Sequence, residues 1–99
     1  MHFKTLKINH ALRGKKLTIQ NIEKELDKLG YFVLYFNTDN GDTEIARYNL
    51  EDEKEKLNAF RYYENVRLVF VNGNLSPEDR TYLLLHELGH ICLGHLSGN

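Results

Sequence analysis

The stretch from Val66 to His95 constrains this chain more than any other. It joins an apolar run, a short turn and a capped amphipathic segment almost without spare residues. Val66-Arg67-Leu68-Val69-Phe70-Val71 is β-branched and apolar enough for a strand, and Asn72-Gly73-Asn74 ends it. Ser76-Pro77-Glu78-Asp79 then supplies an N-cap, a proline at the first helical position and acids where the helix dipole favours them. A helix is expected from Pro77 to about Leu93, with Gly94 next to its end. Leu84, Leu88 and Ile91 give it one apolar stripe.

Upstream, Ile19, Ile22, Leu26 and Leu29 fall at helical spacing, with Thr18 as N-cap and Gly30 as stop. Residues 31–36 read as a buried strand. Asn40-Gly41 signals a hairpin, so a second strand is expected at about 43–49. The charge run 51–56 is a solvated face, either the start of a short helix that includes Leu57 and Phe60, which is the favoured reading, or a loop. Residues 1–16 are ambiguous between a short strand and an irregular arm. The pattern predicts an α+β fold over a single domain, 1–99. A small, largely antiparallel three-stranded sheet packs with an N-terminal helix and the C-terminal motif helix.

A chain of 99 residues buries only roughly 60–65% of its unfolded surface, so its stability is thin. With 41% apolar and 27% charged residues it reads as a globular domain. Its formal net charge of −1 argues against a general attraction to nucleic acid or anionic lipid. Lys4, Lys7, Arg13, Lys15 and Lys16 make the N-terminus basic, but no aromatic or motif pattern accompanies them, so a solvated surface is the favoured reading. The single cysteine, Cys92, fits a reducing compartment and a small core residue. No apolar run approaches the ~20 residues of a membrane span, and no signal-peptide core is present. The expected location is the cytoplasm.

His86-Glu87-Leu88-Gly89-His90 matches H-E-x-x-H. Residues i and i+4 share one helical face, one turn apart, so both imidazoles can reach one ion. Glu87 lies about 100° round the helix and can meet a water without itself ligating. These residue types suit zinc: two histidine ligands, and a carboxylate base for the water that zinc acidifies. Glu87 is the candidate catalytic residue, and His86 and His90 are the candidate metal ligands.

Taken together, residues 66–72, Asn74 to Arg80 and His86-Glu87-Leu88-Gly89-His90-Ile91-Cys92-Leu93-Gly94-His95 resemble the ImmA/IrrE family of metallopeptidases. In that family a strand ending in Asn leads through a Ser-Pro-type turn into a helix reading H-E-L-G-H-x-x-L-x-H. The close match covers about a third of the chain. It implies zinc, a cytoplasmic location and an endopeptidase acting on a protein or peptide. The implied substrate is a helix-turn-helix transcriptional repressor of a phage or mobile element. Members usually take a third ligand from an acidic residue on a further helix, beyond the motif by some two dozen residues or more. This sequence ends at Asn99, and on one reading it is part of a longer enzyme.

Within the chain, His95 is the candidate third ligand, although a polar helix-end residue holding the last carbonyls is the favoured reading of it. On a continuous helix it would lie about 180° from His86, so it needs the helix to end at Gly94 and the chain to turn back. Asp79 is too far up the axis, and His2 and His10 sit on the basic arm. The edge expected to receive a peptide is strand 66–71. The alternative to an enzyme is a non-catalytic protein-binding module with an incomplete metal site. The sequence assigns no oligomeric state.

Overall fold

The computed structural model describes residues 18–97, with side chains through Gly94. The ambiguous arm, His2 and His10 among it, lies outside the described residues.

The central strand explains the architecture. Leu68, Val69, Phe70 and Val71 are all buried, so both faces of their strand must be covered. The elements run α1 (Ile19–Lys28), β1 (Phe32–Phe36), α2 (Asp39–Arg47), α3 (Glu51–Lys56), β2 (Ala59–Tyr63), β3 (Arg67–Asn72) and α4 (Pro77–Ser97). The sheet order is β1-β3-β2. Helices α1 and α4 cover one face, packing Ile22, Leu26, Leu84, Leu88 and Ile91 against Val69 and Val71. The other face meets α2 and the turn after it, where Ile45 and Leu50 pack against Phe36, Phe60, Leu68 and Phe70.

The α+β class and the two expected flanking helices are found, but the sheet is mixed. β1 pairs with β3 in parallel, Phe32 opposite Leu68, while β2 pairs with β3 antiparallel, Phe60 opposite Phe70. The expectation of a largely antiparallel sheet fails at Asn40-Gly41, which lies inside α2 and turns no hairpin. Thr38 caps that helix, its hydroxyl accepting the Gly41 N–H at 3.3 Å, and Asp39 and Asp42 occupy the first turn. Glycine is needed there for closeness: a Cβ on Gly41 would lie 1.8 Å from the Tyr35 carbonyl oxygen. The expected strand at 43–49 is therefore helix. The second strand is instead Ala59–Tyr63, which takes Phe60 out of the short helix, and α3 ends at Lys56.

Both predicted caps of α1 are present. Thr18 Oγ1 accepts the Asn21 N–H at 3.2 Å. At the other end Gly30 has φ +86°, and its N–H and that of Tyr31 satisfy the Asp27 and Leu26 carbonyls. The sheet end that feeds α4 is tied by asparagines. Asn37 Nδ2 donates to Asn72 Oδ1 at 2.8 Å, and the Asn72 amide donates to Asn58 Oδ1 at 3.2 Å. Ser76 caps α4 as expected, its Oγ accepting the Asp79 N–H at 3.2 Å. Helix α4 does not stop beside Gly94 and continues to Ser97. Among the described residues no helix is long and apolar enough to cross a membrane.

Candidate metal centre

Helix α4 carries the whole candidate motif, and its burial pattern sets the direction of each side chain. Leu84, Leu88, Ile91 and Cys92 are buried against α1 and the sheet. That leaves His86 exposed and His90 half-buried on a neighbouring stripe. Their rings meet edge to face, with centroids 4.4 Å apart and planes at 85°. The two Nε2 atoms lie 2.9 Å apart. Two nitrogens at that separation can each lie about 2.0–2.1 Å from one zinc ion. One turn earlier, the exposed Tyr82 ring stacks on His86 with centroids 6.4 Å apart.

Glu87 points from α4 toward β2. It is only 6% exposed, so its charge needs a partner. Arg61 supplies one: its Nε lies 3.0 Å from Glu87 Oε1. The N–H is not aimed along that line, so the oxygen has a counter-charge without an aligned hydrogen bond. The two converging imidazole nitrogens suit a divalent cation, and the buried Glu87 oxygen with an unused lone pair, one residue from His86 and three from His90, suits a water.

A cleft of about 710 Å³ opens between α4 and β2, with Arg61, Tyr63, Arg67, Glu87 and His90 among its walls. Because β3 is central, the open edge beside the motif helix is β2. The expectation that 66–71 would receive a peptide is thus corrected, since that strand has partners on both sides.

His86 and His90 are brought together at their Nε2 atoms, while Glu87 lines the cleft with His90 and pairs with Arg61. The turn that His95 needed is missing, because the helix runs on past Gly94; its side chain lies outside those described. Among the described residues no group of three His, Cys, Asp or Glu side chains converges on one point. Arg61 was not legible as a site residue, since it reaches Glu87 from a separate strand and no local spacing announces it. Tyr82 did have a signal, its place four residues before His86.

The family model of the IrrE N-terminal-like domain, a peptidase family, matches residues 26–99. The chain belongs to that family. The match extends well beyond the motif helix and takes in the whole sheet. No curated protein and no solved structure matches the chain.

Proposed function

We propose that this IrrE-type domain is a zinc-dependent endopeptidase that hydrolyses peptide bonds in an extended protein segment. A helix-turn-helix repressor of a mobile element is the substrate that the family resemblance points to. One observation carries the reading: the 2.9 Å convergence of His86 Nε2 and His90 Nε2 on the helix that also carries the buried Glu87 carboxylate. His86 and His90 hold the ion. Zinc supplies a positive charge that polarises a carbonyl and brings the pKa of a water to about 7. Glu87 accepts the proton of the attacking water and passes it to the leaving amine. The open edge of β2 pairs with the substrate backbone and holds it extended beside Glu87. Arg61 keeps the Glu87 carboxylate turned toward that edge.

Protein purified without added zinc should contain about one zinc per chain by elemental analysis, and His86→Ala should remove it. Cleavage of a candidate repressor should be lost in Glu87→Gln, by roughly 10²–10⁴-fold, while zinc is retained. One observation favours the alternative of a non-catalytic binding module. Arg61 already neutralises Glu87, as it would in a site with no base to keep available. No zinc uptake at micromolar metal would decide for the binding module.

A further inference from the structure

The cleft wall carries two arginines and one acid. Arg61 is matched by Glu87. Arg67, half-buried at the same wall, is held by neutral groups only. Its Nη1 donates to the Leu29 carbonyl at 3.2 Å and its Nη2 to the Tyr63 hydroxyl at 3.1 Å. Its guanidinium carbon lies 4.9 Å from the Tyr63 ring centroid and 5.9 Å from that of Tyr31. Among the described residues no carboxylate pairs with it. A guanidinium has five N–H donors in a planar fork that matches a carboxylate, and two of them are spent here on neutral oxygens. Partial burial strengthens what the rest can gain from an anion.

We propose that Arg67 is a specificity-determining residue, and that the cleft takes a peptide whose acidic side chain docks on its guanidinium between Tyr31 and Tyr63. The inference rests on the peptidase reading of the same cleft. The strand register sets where the acid falls. Arg61, abreast of Glu87, and Tyr63, paired with Arg67, are two residues apart on β2 and both line the cleft. A peptide extended along β2 repeats its side chains on one face at the same spacing of about 6.6–7 Å. The acid therefore lies two residues from the one beside Glu87, and moving it by one residue turns it to the other face.

The test uses the full chain with EDTA present, so that binding is read without cleavage. Short fluorescein-labelled peptides with blocked ends carry one Glu at each position in turn on a neutral background, beside matched Gln peptides. Fluorescence anisotropy should show the best Glu peptide binding about 10-fold tighter than its Gln partner, with the preference falling to under about 2-fold in Arg67→Gln and partly kept in Arg67→Lys. Circular dichroism checks the fold of each variant, and the peptide series on the unmodified protein stands without them. Equal binding of Glu and Gln peptides, no binding of any peptide, or a Glu preference that survives Arg67→Gln would each overturn the proposal. So would a neutral peptide with a free C-terminal carboxylate that binds as tightly as the best Glu peptide. The zinc-loaded protein separates the two readings. Neutral peptides cleaved as fast as acidic ones overturn the Arg67 assignment and leave the peptidase standing. Acid-selective binding with no cleavage of any peptide supports the assignment and counts against the peptidase.

Discussion

The two faces of the sheet are built from different materials. Toward α1 and α4 the strands present mainly small aliphatic groups, Val33, Ala59, Val69 and Val71, beside Tyr35, and these let a long helix lie close. Toward α2 they present Phe36, Phe60, Phe70 and Tyr62, with ring pairs such as Phe60–Phe70 stacked at 5.0 Å. The aliphatic face carries every candidate site residue, and the aromatic face carries none. The difference suggests a division of labour. Aromatic packing supplies large buried area and fixes the sheet, while the aliphatic layer sets the rotation of α4 and hence where His86, Glu87 and His90 point.

The sharpest test is to damage each face in turn. Phe70→Ala empties a fully buried site on the aromatic face and should cost about 3–5 kcal/mol in a urea titration. Zinc affinity of the molecules that remain folded, measured against a competing chelator, should not change. Leu88→Ala should cost somewhat less, about 2–5 kcal/mol, but it sits between the two histidines and lets α4 roll. Its zinc affinity should fall roughly 10-fold, the scale of losses when a supporting residue is removed. Equal loss of zinc affinity in both variants would break the division between the faces.

Gly41→Ala probes the aromatic face by overpacking. Its new methyl would collide with the backbone of β1, where nothing flexible can yield. The expected cost is about 1–3 kcal/mol, paid by a shift of α2 away from the sheet. Hydrogen exchange should rise in α2 and β1 while α4 keeps its protection. Faster exchange spread evenly over all four helices would show that the two layers are one cooperative unit.

These same residues explain what could be read from the chain and what could not. Helix α4 and its motif were legible because the N-cap, apolar stripe and histidine spacing are all local, though Gly94 did not mark its end, and Thr18 and Gly30 marked α1 for the same reason. The sheet order was not legible. Asn40-Gly41 obeys the local rule for a hairpin, but Thr38 and two aspartates offer a competing cap, and the fit of Gly41 against Tyr35 is a tertiary fact. β2 was hidden because Ala59-Phe60-Arg61-Tyr62-Tyr63 follows a charge run and carries an exposed arginine at its centre. That arginine makes sense only once Glu87 lies opposite it, so the error in the sheet and the missed site residue have one cause.

The smallest expected effect lies at the junction of β1 and α2. Asp42 Oδ1 accepts the Asn37 N–H at 2.8 Å and meets Lys54 Nζ at 3.1 Å. The backbone N–H of Asn37 holds this carboxyl below the usual carboxylate range; burial opposes it, and Lys54 adds to the lowering. A carboxyl whose pKa is lower in the folded than in the unfolded chain contributes stability above its unfolded value, about 3.9. That contribution is lost as pH falls through the folded value. Asp42→Asn should therefore cost less than about 1 kcal/mol at neutral pH, since both side chains of the ion pair are partly exposed and screened. The urea midpoints of the two proteins should converge as the pH drops below about 4, where the wild-type carboxyl also takes up its proton. Zinc affinity at neutral pH should be the same in both, because this junction belongs to the aromatic face. A variant that lost zinc here would connect the junction to α4 through the Asn37–Asn72 bond at the sheet end, and the separation of the faces would then stop at that bond.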